Sequence, residues 1–422
     1  MNYQKKYLPL FLGLFMAMGV FIGAKLNFKA SPDKFFANNS KKEKLNRLID
    51  YIDYEYLNYV NTDSIVDVAV NDILGSLDPH SVYIPVNKYQ ANADDMRGNF
   101  VGIGVSFYFY KDSVAVINPI EGGPALKAGI RGGDRILLAN GISLFGPEMK
   151  REKVVDHLKG LKNSKVHLKI YRKGEPELLD FTLSRKQVPL KSVEAAYIIK
   201  DSLGYIKVNR FAESTTEEFD KALNLLIDKK IKTLILDLRD NPGGYISAAE
   251  KMVDEFLQDD KLILYTKNKM GEVVESYATK RGDFEEGLVY VLINENTASA
   301  SEIVAGALQD QDKGIIVGRR SFGKGLVQRE MSLGDGSAIR LTIAKYYTPT
   351  GGSIQRPYKN GDKKSYYRDY YKRYKNGEMQ SADSIKVADS LKFTTPKGKV
   401  VYGGGGIIPD IFIAKDQRNE VE

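Results

Sequence analysis

The chain has 422 residues, 43% hydrophobic and 27% charged, which allows two or three packed domains and excludes global disorder. It has no cysteine, so disulfide frameworks, thiolate nucleophiles and cysteine metal sites are excluded. The net charge of +8 is concentrated, because residues 356–399 hold 12 Lys/Arg against 5 Asp/Glu. Interleaved Lys, Arg and Tyr there (Tyr366, Tyr367, Tyr370, Tyr371, Tyr374) are one way to build an RNA-stacking surface. A solvated insertion on an exported protein is the preferred reading, and no nucleic-acid partner is expected.

In chain order, Lys5 and Lys6 precede an uncharged apolar run from Leu8 to Ala24, closed by Lys25. As a helix this run spans about 25 Å, against a hydrocarbon core of ~30 Å. Bulky Ile22 makes a poor cleavage site before Ala24, so residues 1–30 are expected to be a retained membrane anchor rather than a cleaved signal. The expected location is the cell envelope: anchored in the inner membrane with the rest of the chain on the exported, periplasmic side, or secreted to the periplasm if the leader is cleaved. Within an N-terminal helical region, 31–95, Leu45, Leu48, Ile49, Ile52, Tyr56 and Leu57 recur at helical spacing and predict a helix over 41–75. Such a helix leaves a homo-oligomer open. Leu77-Asp78-Pro79-His80-Ser81 then reads as a turn.

From Phe100 the period becomes two, and residues 96–186 predict a β-rich module with helices at Pro124 to Gly129 and Glu148 to Leu158. Beyond it, over 187–422, apolar strands (Tyr205 to Val208, Thr233 to Leu238, Leu288 to Ile293) alternate with helices (Glu217 to Lys229, Ala248 to Leu257, Glu302 to Leu308). That alternation predicts a sheet covered on both faces. The fold class is therefore α+β and multidomain: a helical segment, a β-rich domain and an α/β domain carrying a basic Tyr-rich insertion at 356–400.

Three segments of the α/β region could carry chemistry. Asp237-Leu238-Arg239-Asp240-Asn241-Pro242-Gly243-Gly244 ends a strand in paired glycines, which can turn N–H groups toward a ligand or merely make a turn. Asn296-Thr297-Ala298-Ser299-Ala300-Ser301-Glu302 opens a helix; Ser299 with Glu302 fits a capping box, and a nucleophile there would face unpaired helix N–H groups. Gly318 to Gly325 has the look of a phosphate-binding loop, but Gly325 replaces the Ser/Thr that would hold magnesium, and no helix clearly follows.

The three histidines, His80, His157 and His167, all lie outside the α/β region, which disfavours a Ser–His–Asp triad there. A lysine can serve as base if it is neutral. At an ordinary pKa near 10.4 that costs roughly 4 kcal/mol around neutral pH, and burial reduces the cost. Lys324, between glycines and before Leu326-Val327, is the candidate. Gln328, four residues on, can orient it without stabilising the ammonium as a carboxylate would.

With these residues the sequence resembles the carboxyl-terminal processing proteases, the tail-specific Ser–Lys peptidases of family S41. Ser299, Lys324 and Gln328 match that family's catalytic Ser, Lys and Gln. The other matching segments are Leu77 to Ser81, Asp237 to Gly244, Tyr346-Tyr347-Thr348-Pro349 with Ser353-Ile354-Gln355, and Gly405-Gly406-Ile407 with Pro409-Asp410. The resemblance implies that 96–186 is a PDZ domain and that 187–422 is a crotonase-like α/β protease domain. Gly102-Ile103-Gly104-Val105 would then receive a substrate's C-terminal carboxylate, with the tail added as a strand beside a helix bearing Val155 and Leu158.

The function expected is endopeptidase cleavage of exported proteins recognised by apolar C-terminal tails, without metal or cofactor. Lys324 activates Ser299, and N–H groups of Gly243 or Gly244 and of Ala300 form the oxyanion hole. The alternative from another class is a catalytically inactive, membrane-anchored PDZ scaffold.

Overall fold

The computed structural model describes residues 13–18, 40–110, 112–146 and 149–416. Most of the apolar run from Leu8 to Ala24 lies outside the described residues; 13–18 are helical. Among the described residues no helix is long and apolar enough to cross a membrane. The chain divides into two compact units, 1–69 and 70–422. The helix expected over 41–75 is interrupted, giving Ser40–Glu55 and Thr62–Gly75. Asn61 is the cause, since its side chain accepts from the Ser64 N–H at 3.0 Å and starts a new helix.

In the second unit, Asn99–Gly102 pairs antiparallel with Lys186–Pro189 as a two-stranded neck. Between these strands, Val105–Tyr110, Ser113–Pro119, Arg135–Ala139, Lys165–Tyr171 and Leu179–Ser184 form one antiparallel sheet in that order. Val166, Leu168 and Ile170 point into its core while Lys165, His167 and Lys169 stay outside, as period two requires. The sequence predicts one strand across 101–109, but the chain breaks at Ile103-Gly104, where Gly104 takes φ +77°. The second helix runs Arg151–Leu158, and its expected start at Glu148 lies outside the described residues.

The α/β part is built on a six-stranded sheet ordered Val193–Lys200, Leu203–Val208, Thr233–Asp237, Leu288–Ile293, Gly314–Gly318 and Ile411–Phe412. Only the first pair is antiparallel. Ala300–Asp310 is a helix buried along its whole length, packed in one core with Phe219, Leu223, Met252 and Phe256. A second sheet centres on Ala338–Tyr347, which pairs with Leu326–Ser332, Leu262–Asn268 and Val82–Ile84. The strand after the Leu77–Ser81 turn is thus an edge of this second sheet.

The basic stretch after 356 is largely exposed, as expected of a solvated insertion, but part of it is built into the fold. Lys363–Lys375 is a helix with Tyr366 and Arg373 only 3% and 4% exposed, and Arg356 beside it is 5% exposed. Arg373 is satisfied by Glu378 (2.7 Å) and by the carbonyls of Arg320 (2.7 Å) and Ser321 (3.0 Å). Paired and bonded in this way, a guanidinium tolerates burial, and a count of charges cannot distinguish it from a solvated one.

Candidate active site

Thr233–Asp237 and Leu288–Ile293 are parallel neighbours, so both following loops emerge at the same carboxyl edge of the sheet. Side chains lace these loops together. Asp240 accepts from Asn294 and Asn296, each at 2.8 Å, and the Thr297 hydroxyl donates to the Leu238 carbonyl at 2.8 Å. The Asn241 carbonyl accepts from the Ala298 N–H (3.0 Å) and the Ser301 hydroxyl (3.1 Å). Buried Asp237 is committed to Arg239 (2.6 Å) and to the Tyr205 hydroxyl (2.7 Å).

Ser299 sits at the N-terminus of Ala300–Asp310 with φ +57° and ψ −119°, a strained backbone for a non-glycine residue. Gly243 presses against it: a Cβ there would lie 2.7 Å from Ser299 Cβ and 2.8 Å from the Ala300 nitrogen. The Gly243 N–H, expected among the oxyanion donors, is instead bonded to Asn241 Oδ1 at 2.9 Å. The asparagine two residues earlier captures it, as such side chains commonly do in turns. The N–H groups of Gly244 and Ala300 have no partner among the described residues. A cleft of about 350 Å³ opens beside this turn, lined by Met96, Arg210, Phe211, Asp240, Gly243 and Gly244.

Glu302 organises the other half of the site. It is fully buried, and its carboxyl accepts from the backbone N–H groups of Ser299 (2.9 Å), Gly323 (2.6 Å) and Lys324 (2.8 Å) and from the Ser321 hydroxyl (2.5 Å). Burial raises its pKa, and those four bonds pull the other way. The Gly318–Gly325 loop therefore spends its amides internally, two of them (Gly323 and Lys324) on this carboxylate, and a strand, Leu326–Ser332, follows it. Both facts remove the phosphate-loop reading.

Lys324 Nζ donates to Gln328 Oε1 at 2.8 Å, and Gln328 Nε2 donates to the His80 carbonyl at 2.5 Å. Burial depresses the Lys324 pKa; the charge of Arg340 adds to this, while Glu302 and Asp78 oppose it. No hydrogen bond joins Lys324 Nζ to Ser299 Oγ. The fully buried Tyr346 hydroxyl bonds the Lys324 carbonyl and lies in reach of the Ser299 hydroxyl. The residues that sequence reasoning passed over are Tyr346, His80 and the full role of Glu302. Each lay inside a recognised segment, but its direction did not. Among the described residues no group of three or more His, Asp or Glu could hold a metal ion.

The tail-binding candidates lie in the β-rich module. Val105–Tyr110 is the edge strand of its sheet, paired among the described residues only with Ser113–Pro119. The Gly104 N–H has no partner among the described residues, whereas Ile103 adjoins the antiparallel bridge between Gly102 and Lys159. Val155 packs part-buried against the module's core, whereas Leu158, expected to line a groove, is 4% exposed within that core.

A helix-borne serine and a buried lysine at one sheet edge, with a separate β-rich module, define a class of protein that comparison makes specific. Residues 202–362 match peptidase family S41, and residues 101–183 match the PDZ domain. A carboxy-terminal-processing protease of Bartonella bacilliformis is 35% identical over 81% of this chain and 80% of its own length. Carboxy-terminal processing protease CtpA of Bacillus subtilis is 33% identical over 84% of this chain and 76% of its own. Among solved structures, a photosystem II D1 C-terminal processing protease is similar with 26% identity, TM-score 0.46, over 88% of this chain and 86% of its own. The chain belongs to peptidase family S41, among its carboxy-terminal processing serine proteases, with a PDZ domain and an α/β protease domain.

Proposed function

We propose that the chain is a Ser–Lys endopeptidase that cleaves exported proteins chosen by their apolar C-terminal tails. The observation that carries this reading is Lys324: buried, with its pKa lowered, held by an uncharged amide, and bridged through Glu302 to Ser299. Neutral Lys324 takes the Ser299 proton as Oγ attacks the scissile carbonyl. The N–H groups of Gly244 and Ala300 receive the oxyanion. The tetrahedral intermediate collapses to an acyl-enzyme as the lysine returns its proton to the leaving amine, and water completes hydrolysis by the same route.

In this reading the edge strand Val105–Tyr110 takes the substrate tail by strand addition, and the turn Gly102 to Val105, where the Gly104 N–H is open, holds its carboxylate. The apolar run Leu8 to Ala24 anchors the protein in the inner membrane with the protease on the periplasmic side. Casein degradation by the purified protein tests the chemistry. Ser299→Ala, Lys324→Ala and Lys324→Arg should each be inactive, since arginine cannot yield its proton. Substantial activity in Lys324→Arg would overturn the general-base role. Protease accessibility in intact and permeabilised cells tests the location.

A further inference from the structure

The helix Lys363–Lys375 grips the Pro79–Ser81 turn at three points. The Tyr366 hydroxyl meets His80 Nε2 at 2.9 Å, Lys363 Nζ donates to the Ser81 carbonyl at 3.3 Å, and the Tyr367 hydroxyl donates to the Pro79 carbonyl at 3.4 Å. Tyr366 is itself fixed. Its ring lies 3.8 Å from the Arg356 guanidinium carbon and edge-on to the His80 ring at 5.1 Å. Phe322 stacks on the same guanidinium at 4.2 Å. Gln355, whose Oε1 accepts from the Gly325 N–H (2.9 Å), offers its amide N–H to the Tyr366 oxygen at 3.4 Å. That leaves the Tyr366 O–H to donate to His80 Nε2, which places the histidine proton on Nδ1.

The middle carbonyl of the gripped turn is the one that accepts from Gln328 Nε2 (2.5 Å), which points Gln328 Oε1 at Lys324 Nζ. We infer that Tyr366 is a positioning residue for the lysine base: through His80 it holds the carbonyl that sets the orientation of the Gln328 amide. The inference rests on the Ser299–Lys324 reading above. The histidine is suited to a fixed role because burial first, then the charges of Lys324, Arg356 and Lys363, push its pKa down to about 4 against the pull of Asp78. It keeps one protonation state at neutral pH. The groups facing Lys324 are Glu302, Asp78 and Arg340, with Gln328. Those facing His80 are Lys324, Asp78, Arg356, Lys363 and Tyr366.

The test is Tyr366→Phe in the full-length protein, which removes one hydroxyl and keeps the ring. Activity is read as kcat and KM on an internally quenched peptide with an apolar tail, across pH. A freed Gln328 no longer presents its carbonyl to the lysine ammonium, so the protonated form loses support. The expected signature is a kcat lower by about tenfold, corresponding to 1.4 kcal/mol, with KM unchanged and the ascending pH limb moved to lower pH. A loss of folded protein would lower kcat without moving that limb.

In a Gln328→Ala background, Tyr366→Phe should have no further effect, because both act through one amide. His80→Leu, which keeps the carbonyl and removes the ring nitrogen, should reproduce the signature if Tyr366→Phe does not fold. Wild-type kcat and pH limb in Tyr366→Phe, or full additivity with Gln328→Ala, would overturn the inference while an inactive Lys324→Ala leaves the catalytic reading standing. An active Lys324→Ala would overturn both.

Discussion

Ser299 and Lys324 each donate a backbone N–H to the same oxygen of Glu302, at 2.9 and 2.8 Å. One buried carboxylate thus sets the separation of the two residues, and it does so through main chain, leaving both side chains to react. Glu302→Gln replaces one accepting oxygen by an NH₂ that faces donors. The expected result is loss of about 3 kcal/mol of stability and a fall in activity of at least ~100-fold. Urea denaturation with casein assays checks both, and a Glu302→Gln enzyme near the wild-type rate would show that the bridge is dispensable.

A second expectation concerns Arg340, paired at 3.1 Å with Glu330, whose charge helps depress the Lys324 pKa. Activity should rise with pH through a lysine pKa below the ordinary range. Arg340→Gln removes a neighbouring positive charge, so the ammonium form gains and the ascending limb should move to higher pH. The kcat/KM profile measures it; a limb that stays in place or moves toward acid contradicts the assignment of that limb to Lys324.

Tail recognition can be read with one model substrate bearing three tails: free apolar, amidated apolar, and charged. Amidation removes the charge offered to the Gly104 N–H in the Gly102 to Val105 turn, and a charged last residue is costly to bury. Both should slow cleavage at sub-saturating concentration. Equal rates for all three would leave the PDZ domain a role other than tail capture.

Glu255 sets a stability expectation away from the site. Burial pushes its carboxyl up to about 7; the charges of Asp220, Asp283 and Asp254 add to this, and the Asp283 N–H opposes it. Its folded pKa lies above the unfolded value, so its contribution is fully present below about 4.5 and is lost as pH rises through 7. Glu255 is only half-buried and solvent screens its neighbours, so Glu255→Gln should stabilise the protein by roughly 2 kcal/mol at pH 8 and by little at pH 4. Urea midpoints at the two pH values decide it; an equal shift at both would mean that packing, not charge, is responsible.

Much of this arrangement is legible in the chain, because Ser299, Lys324 and Gln328 stand on local patterns: a helix start, a glycine-framed lysine and an even strand spacing. What is not legible depends on contacts between distant positions. His80 looks like a turn residue far from the α/β region, yet its ring meets Tyr366 and its carbonyl meets Gln328. Tyr366 and Arg373 look solvated because a basic, tyrosine-rich run has no apolar period, and only the fold supplies the partners that bury them. Leu158 follows helical spacing into the module's core, and spacing alone does not distinguish a core face from a groove.

The neck has a consequence for how such a protein is assembled. Asn99–Gly102 and Lys186–Pro189 lie side by side, and just outside them the Leu190 N–H donates to the Gly98 carbonyl at 2.8 Å. The chain therefore leaves the protease scaffold and returns to it at almost one point, so everything between is a cassette whose ends already meet. A short bridge from Gly98 to Leu190 would close the catalytic chain without stretching either sheet. Another domain with similarly adjacent ends could be spliced in at the same junction without rebuilding the sheet that carries Ser299 and Lys324.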